Sequence, residues 1–351
     1  MKHKRQNLYR KITPIASAIA LAFSGAATSA NELALEEIVV TAQKRSESLQ
    51  DIPATVNVLG GDVLKDFNAN RFADLESLTA GLQITSLSGR SGRMTLRGIP
   101  HTPVSAAEGA VTTYWNQAIV DSNAVYQQMF DVERIEILRG PQGTLAGRTS
   151  PAGAINIHLA RPNLEESEGN FRTSFADNNG VNTQLAGSVP LIPGKLAVRV
   201  AGLFDESDLN EIENIVNGEM SHEQTNAARV SVSWLPADNL SVDLAVQTMD
   251  RDVNDVSALS GTLNPQIAAQ LDPRSKLKAL GDFDRRGASV GVDGKEDTTQ
   301  AEFLNSSLVV EWDLESHTIT SVTGYHETDS IRHMTKPWGV LIQALSLAVI
   351  R

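Results

Sequence analysis

Hydrophobic and polar residues alternate with a period of two through most of residues 168–330. At residues 240–247 leucine and valine occupy every second position, and residues 196–205 and 307–314 largely repeat this pattern. Such alternation is typical of a β-strand with one apolar face. It predicts seven strands, at residues 168–177, 181–190, 195–206, 223–235, 239–251, 299–314 and 317–329.

The connections between these strands alternate between short and long. Tight turns are expected at residues 190–194, 236–238 and 315–316, and long polar segments at 207–222 and 252–298. Short turns at one end of a sheet and long loops at the other are typical of outer-membrane β-barrels. A soluble β-sandwich is the alternative that the alternation alone leaves open.

Trp234 and Trp312 each stand shortly before one of the tight turns. In a membrane barrel this position would place both indoles at the same bilayer interface, in an aromatic girdle. In a soluble sandwich the same side chains would belong to the core. The exposure of the two tryptophans therefore distinguishes the two architectures.

Residues 31–162 carry a different pattern, in which short apolar clusters are separated by glycines. The helical spacing of Phe72, Leu75 and Leu78 predicts a helix over residues 71–78. A second amphipathic helix is predicted over residues 61–68. This half of the chain is therefore expected to form a small mixed α/β domain.

The first thirty residues have the three parts of a secretory signal. Residues 1–11 are basic, residues 15–27 form an uncharged apolar run of 13, and residues 28–30 are small. The run is too short for a spanning helix, so we expect a cleaved signal peptide, with a buried N-terminal helix as the alternative. No other segment reaches the ~20 apolar residues of a spanning helix, so membrane insertion would require a β-barrel.

Charge and cysteine content exclude several functions. The chain has 30 basic and 42 acidic residues, and its first thirty residues hold five of the basic and none of the acidic ones. The remainder therefore carries 25 basic and 42 acidic side chains, a net charge of −17, which excludes nucleic acid as the main partner. The absence of cysteine excludes a disulfide scaffold, a cysteine nucleophile and a Cys-ligated metal.

Two stretches resemble a single family. Residues 35–45 read LEEIVVTAQKR, and residues 130–156 read FDVERIEILRGPQGTLAGRTSPAGAIN. Together they resemble the TonB-dependent outer-membrane receptors, with the TonB box in the first stretch and the densest part of the plug signature in the second. By this resemblance the TonB box comprises Glu37, Ile38, Val39, Val40, Thr41 and Ala42. The plug signature comprises Arg97, Gly98, Arg134, Glu136, Arg139, Gly140, Pro141, Gln142, Gly143, Gly147, Arg148, Gly153 and Asn156.

The resemblance implies an α+β plug domain followed by antiparallel transmembrane β-strands of the 22-stranded barrel of this family. Only 189 residues follow Pro162, enough for about seven strands. The expected architecture is therefore an incomplete 22-stranded barrel, as in a C-terminally truncated receptor. The expected segments are a signal peptide (1–30), a TonB-box and periplasmic segment (31–50), the plug (51–162), a partial barrel (163–335) and an irregular tail (336–351).

The implied function is energy-coupled uptake of a scarce nutrient across the outer membrane, most commonly a ferric siderophore. A periplasmic TonB-type protein would pair with the TonB box by adding a β-strand, and the barrel would contact outer-membrane lipid. No resident cofactor is expected, because iron would be present only as part of the transported chelate. The alternative is a truncated plug module that binds the TonB partner or the ligand without transport.

Ligand contacts are expected on the outward side, at Arg90, Arg93, His101 and Glu108. The arginines of the plug signature, together with Glu133 and Glu136, are expected to pair with charges of the barrel wall, with simple surface ion pairs as the alternative. The chain departs from the family at residues 114–117, where Tyr-Trp-Asn-Gln replaces the usual Tyr-Val-Asp-Gly.

The enzyme motifs in the chain are incomplete. Residues 143–149 (GTLAGRT) lack the first glycine and the lysine of a phosphate-binding loop. The His-Glu pairs at 222–223 and 326–327 lack the second histidine of a zinc-protease motif. We therefore predict no catalytic residue and no metal site, and we do not expect an enzyme.

Overall fold

The structure of the chain is a computed structural model. The structure describes residues 39–40, 47–48, 55–87, 90–101, 110–120, 129–142, 150–209, 220–255, 297–335 and 341–342. Across these ranges no helix is long and apolar enough to cross a membrane.

The first half folds as a small α/β domain, which we call the plug. Its β-strands are β1 (Val39–Val40), β2 (Glu47–Ser48), β3 (Thr55–Gly60), β4 (Leu82–Leu87), β5 (Arg90–Leu96), β6 (Ile99–His101), β7 (Val111–Trp115), β8 (Ala118–Val120), β9 (Val132–Arg139) and β10 (Gly153–Leu159). Its helices are α1 (Gly61–Asp66), a 3₁₀-helix (Phe72–Asp74) and α2 (Leu75–Leu78). Both predicted helices are present, and the second is split into a 3₁₀ turn and a single α turn.

A five-stranded sheet in the order β3-β9-β10-β7-β8 forms the centre of the plug. Strands β10 and β7 are parallel, and the other pairs are antiparallel. A separate three-stranded sheet contains β4, β5 and β6. Leu75, Met94, Ile135, Ile137 and Ile155 are fully buried, so the plug has an apolar core of its own.

The second half of the chain folds into one antiparallel sheet, which we call the wall. Its strands are β11 (Glu168–Phe175), β12 (Val181–Ile192), β13 (Leu196–Ser207), β14 (His222–Ala237), β15 (Leu240–Asp255), β16 (Asp297–Leu314), β17 (His317–Thr335) and β18 (Leu341–Ile342). Each strand is hydrogen-bonded to the next one along the chain. Strands lie at all seven predicted positions, and the short β18 lies in the tail that was expected to be irregular.

Within the described residues the wall is an open sheet, because β11 pairs only with β12 and β18 only with β17. The predicted antiparallel strands are therefore present, and in the part of the chain that the structure describes they do not close into a barrel. The total of 22 strands stays a prediction.

The polarity of the two faces of the wall is the reverse of that in a water-soluble protein, where the inner face of a sheet is apolar and the outer face is polar. The face that contacts the plug buries charged and amide side chains, including Arg199, Asp205 and Gln247. The opposite face exposes apolar side chains, listed here by strand order: Phe171, Leu185, Val200, Val230, Trp234, Leu244, Leu304, Trp312 and Ile319. A polar interior and an apolar exterior are the arrangement of a membrane β-barrel.

Trp234 and Trp312 lie on this outer face and are 46% and 47% exposed. The register pairs Trp234 with Val242 and Trp312 with Leu240, so the two indoles lie within two residues of the same level. A soluble sandwich would bury both tryptophans in its core, so their exposure favours the membrane barrel.

Candidate functional site

The interface between plug and wall is built from charged and polar side chains. Asp131 stands directly before β9, and its carboxylate faces two arginines of the wall. The Nη2 and Nε atoms of Arg199 donate to Asp131 at 2.6 and 2.9 Å, and Nη2 of Arg229 donates at 2.8 Å. We call these three residues the Asp131 clamp. Each of their side chains is less than 10% exposed.

Both terminal nitrogens of the Arg229 guanidinium contact the residues just before β9. It donates to the main-chain oxygens of Phe130 and Asp131 at 3.3 and 2.6 Å, and to Oε1 of Gln247 at 3.2 Å. The guanidinium also lies 4.8 Å from the centre of the Phe130 ring, within the range of a cation–π contact. These contacts fix both the backbone and the side chains of residues 130–131.

The charge balance of the clamp keeps Asp131 ionised. Burial alone would raise the pKa of its carboxyl group. The hydrogen bond from Arg199 and the charges of Arg229 and Arg199 outweigh burial, so the pKa lies below its ordinary value of 3.8. Asp131 is therefore an anion between two cations at neutral pH.

A second contact, which we call the Arg71 junction, joins the plug to β13 and β14. Nη2 of Arg71 donates to Ser207 at 2.9 Å and lies 3.7 Å from Asp205 and 3.9 Å from Glu223. Glu223 also accepts a 2.7 Å hydrogen bond from Arg251. Here the plug supplies the cation and the wall the anions, the opposite of the Asp131 clamp.

A cavity of about 240 Å³ lies beside the Arg71 junction, between plug and wall. Its lining is largely polar and includes four asparagines, at positions 68, 70, 178 and 182. The turn that joins β11 to β12 borders the cavity, at the end of the wall where the connections between strands are long. The cavity is therefore suited to polar rather than apolar groups.

Three residues of the predicted plug signature come together inside the plug. Glu136 is fully buried and accepts hydrogen bonds from Nε of Arg134 at 2.9 Å and from Nδ2 of Asn156 at 3.3 Å. His158 Nε2 lies 3.2 Å from the same carboxylate, and Arg134 also pairs with Glu133. The signature charges Arg134 and Glu136 thus pair with each other inside the plug, and because Glu136 is fully buried the contact is not a surface ion pair.

Other signature residues shape turns. Arg97 and Gly98 have φ values of 53° and 79°, and Gly140 has a φ of 99°. Arg139 is the last residue of β9. Its Nε atom is buried and has no hydrogen-bond partner within the described ranges. The main-chain N–H of Gln142, which follows the exposed Pro141, donates to Ser150 at 3.0 Å.

Gly153 occupies a position that no other residue fits. Its φ is 150°, and a Cβ atom there would lie 2.1 Å from the main-chain oxygen of Leu138 and 2.8 Å from a methyl group of Leu96. The glycine lets β10 lie against β9 at the start of their pairing. Gly143, Gly147 and Arg148 lie outside the described residues.

The predicted TonB box is described only at its centre. Val39 and Val40 pair antiparallel with Ser48 and Glu47. The other four residues of the box, Glu37, Ile38, Thr41 and Ala42, lie outside the described residues.

The predicted ligand contacts are placed only by their backbone. Arg90 and Arg93 pair with Leu87 and Thr85 in the β4–β5 hairpin, and His101 pairs with Met94. Glu108 lies outside the described residues. In the portion of the chain that the structure describes, no three His, Asp or Glu residues cluster as a metal site would require.

Sequence reasoning missed Asp131, Arg71 and the two wall arginines. A signal was present for the wall residues. Arg199 and Arg229 lie on strands whose alternate residues, such as Val200 and Val230, form an apolar outer face, so each arginine belongs to the inner face. A charge on the other face of an amphipathic strand indicates a polar partner on that side.

Comparison with known proteins identifies the first half of the chain. Residues 48–154 match the TonB-dependent Receptor Plug Domain. This part of the chain is therefore similar to the plug domain of the TonB-dependent receptors. A pesticin receptor of Yersinia pestis is 35% identical over 132 residues, which make up 36% of this chain and 19% of that receptor. The catecholate siderophore receptor Fiu of Escherichia coli (strain UTI89 / UPEC) is 28% identical over 159 residues, 43% of this chain and 20% of that receptor.

Solved structures extend the similarity of the receptor-like chain to the wall. The ferric yersiniabactin uptake receptor FyuA from Yersinia pestis superposes with a TM-score of 0.67 at 19% identity, over 81% of this chain and 42% of FyuA. The open form of Fiu from E. coli K12 gives 0.65 at 18% identity, over 84% of this chain and 42% of Fiu. The plug followed by antiparallel wall strands is thus the receptor fold.

The receptor-like chain spans about a fifth of the first curated relatives that it matches. Another relative is an iron-regulated outer membrane virulence protein of Vibrio cholerae, 24% identical over 251 residues, in agreement with the location in the bacterial outer membrane that the sequence predicts. The relatives are receptors and transporters rather than enzymes, in agreement with the expectation from the sequence.

Proposed function

We propose that the protein is an outer-membrane receptor for the energy-coupled uptake of a scarce nutrient, and that its cargo is a ferric siderophore. The observation that carries this proposal is the arrangement of the wall, whose polar inner face binds the plug while its outer face is apolar. Relatives named as a catecholate siderophore receptor and a ferric yersiniabactin uptake receptor support the choice of cargo.

The apolar outer face supports contact with lipid. On β16 the outward positions from Leu304 to Trp312 are exposed or half-buried and, apart from Ser306, apolar. With a rise of ~3.3 Å per residue and a tilt of ~40°, this stretch covers about 20 Å of membrane height, close to the ~25 Å apolar band of outer-membrane barrels. Trp234 and Trp312 would then form part of the aromatic girdle at one interface.

The TonB box would supply the energy coupling. Val39 and Val40 already lie in an extended conformation, and an extended segment binds a partner strand by main-chain hydrogen bonds. A periplasmic TonB-type protein that paired with Glu37–Ala42 could pull on the segment of chain that leads into β3. Iron would enter with the chelate as cargo, so no resident cofactor is required.

Deletion of residues 38–42 tests the proposal in cells that lack other receptors for the same chelate. We expect binding of siderophores loaded with radioactive iron to the cell surface to be unchanged and accumulation inside the cell to be lost. As matched variants, Val40→Pro removes a main-chain donor and should impair uptake, whereas Val40→Thr keeps the donor and should not. Normal accumulation with lost binding would contradict the proposal.

The alternative of a plug module without transport stays a prediction. It requires that the unaltered chain binds the TonB partner or the chelate but never accumulates iron in cells. The same assay on the unaltered chain separates the two functions.

A further inference from the structure

The turn between β7 and β8 joins the plug to β16 and β17. Nδ2 of Asn116 in this turn donates to Oγ of Ser307 at 2.8 Å, and Ser307 is fully buried. The main-chain N–H of Asn116 donates to the main-chain oxygen of Ile157 at 2.8 Å, which fixes the turn to β10. A neutral polar contact therefore attaches the plug to the wall two strands away from the Asp131 clamp.

Beside this hydrogen bond, Gly324 of β17 leaves room for the first residue of β8. The register pairs Gly324 with Ser307, so both residues lie at one level of the inner face of the wall. A Cβ atom at Gly324 would lie 2.6 Å from the Cβ atom of Ala118, well inside the ~3.5–4.0 Å at which two carbon atoms attract. Ala118 is buried. The missing side chain at position 324 thus forms a notch that the methyl group of Ala118 occupies.

The notch is confined to one position along β17. The neighbouring residues of β17 on the same face are Val322 and His326. The ring of His326 hydrogen-bonds to Asn305 and to Thr328, so it is held in place. A shift of the plug by one inner-face position, ~6.6 Å, would bring Ala118 against one of these two side chains. The inner face of β17 therefore accepts the β7–β8 turn at one level.

We propose that Asn116 and Ala118, by binding to Ser307 and Gly324, set the orientation of the plug in the wall. We call these four residues the hairpin contact. The Asp131 clamp holds the start of β9, and the hairpin contact holds β7 and β8 at the far edge of the same sheet. Two separate attachments fix a rotation that one attachment would leave free. The four residues are thus positioning residues for the plug surface that would bind the cargo, and this role rests on the proposed function.

The absence of cysteine allows the position of the turn to be measured by disulfide formation, without a ligand. In the full chain in detergent micelles, Asn116→Cys is combined with Ser307→Cys, and oxidation by copper phenanthroline is followed as a gel shift. Ser306→Cys replaces Ser307→Cys in the matched control, because Ser306 is adjacent in the chain and faces outward. We expect the pair with Ser307→Cys to form at least about tenfold faster, since disulfides require close Cβ atoms. Equal rates for the two pairs would overturn the inference.

Gly324→Ala tests the notch in the same assay. The added methyl group should displace the turn and slow disulfide formation at least about tenfold. Adding Ala118→Gly removes the opposing methyl group and should restore the rate to within about threefold of the original. Gly202→Ala is the control and should leave the rate unchanged, because a Cβ there would meet its nearest neighbour, a carbon of Leu185, at 3.6 Å. An unchanged rate in Gly324→Ala, or no recovery in the double variant, would contradict the role of the notch.

Binding of radioactive ferric siderophore to cells gives the functional measurement. A positioning role predicts that Gly324→Ala raises the dissociation constant about tenfold, the equivalent of one or two hydrogen bonds, at an unchanged number of sites per receptor. The double variant with Ala118→Gly should recover the original affinity. Fewer sites at unchanged affinity would show that Gly324 only supports folding, and would overturn the positioning role. If the unaltered chain binds no siderophore, the proposed function fails alone, because the disulfide rates need no ligand.

Discussion

Asp131 of the plug and Arg199 of the wall are joined by two hydrogen bonds, with Oδ1 accepting at 2.6 Å and Oδ2 at 2.9 Å. The pair is bidentate, and Arg229 binds the same carboxylate from the neighbouring strand. Bidentate pairs of this kind fix orientation as well as distance. The start of β9 is therefore held in one position relative to two wall strands.

Replacement of Asp131 by Asn should destabilise the plug by about 3 kcal/mol, because it leaves two buried guanidinium groups without a counter-charge. The free energy of unfolding can be measured from urea titration of Trp115 fluorescence. Asp62→Asn is the matched control, since Asp62 is 93% exposed and pairs with Lys65 at the surface. A loss of similar size in both variants would contradict the role of the clamp.

The Asp131 clamp should also make the free energy of unfolding of the plug depend on pH in the acid range. Because the folded state lowers the pKa of Asp131 below 3.8, its contribution is fully present above about pH 5 and is lost as the pH falls through 3.8 toward the lower folded-state pKa. The difference in unfolding free energy between the unaltered chain and Asp131→Asn should therefore shrink below about pH 4. A difference that stays constant from pH 7 to pH 3 would contradict the prediction.

Gly153→Ala should disrupt the pairing of β9 and β10. The new methyl group would lie 2.1 Å from the Leu138 main-chain oxygen, at a φ of 150°, and we expect a loss of at least about 2 kcal/mol. Gly60→Ala is the control, because no atom lies within 4 Å of a Cβ placed there. Urea midpoints of the two variants check the prediction, which fails if they are equal.

Gln117→Gly should stabilise the plug. Asn116 and Gln117 form the two-residue turn between β7 and β8, with φ values of 47° and 69°. Both values are positive, as a hairpin turn of this type requires. Glycine at position 117 should gain about 0.5–1 kcal/mol by removing the strain of the left-handed conformation. Gln83→Gly, on the exposed side of β4, should lose stability instead. The thermal midpoints of both variants give the test.

Trp234 and Trp312 should lie at equal depth in a bilayer. Chains that retain one of the two, with the three other tryptophans replaced by phenylalanine, can be placed in vesicles of lipids brominated at known positions on the acyl chain. We expect the strongest quenching of both indoles by bromine near the headgroups, since tryptophan prefers the interface. Strongest quenching at the chain ends, or a clear difference between the two, would contradict the girdle.

The wall strands could be predicted from the sequence because alternation is a local signal. The alternation at residues 240–247 shows which positions of β15 face inward and which face outward, without any knowledge of the adjacent strands. The departure at residues 114–117 also leaves the local structure intact, since Asn and Gln adopt the backbone conformation that Asp and Gly usually provide. Local rules therefore describe most of the strands and turns.

The Asp131 clamp could not be predicted in the same way. Asp131 is 68 positions from Arg199 and 98 positions from Arg229. The choice of arginines that pair with the Asp131 carboxylate depends on the register of β13 against β14 and on where β9 lies against the wall. These relations arise from packing of the two domains, and no local pattern encodes them. The basic residues that did stand out, such as Arg134, pair within the plug.

The reversed polarity of the wall sets an order for biogenesis. The plug can collapse in water around its own apolar core of Leu75, Ile135 and Ile155. Among the described residues of the wall, the inner apolar cluster is small and is completed by Phe130, a residue of the plug. In the proposed receptor the apolar outer face of the wall would therefore stay exposed to water during secretion, and we expect the wall strands to associate stably only when lipid covers that face and a folded plug occupies the other.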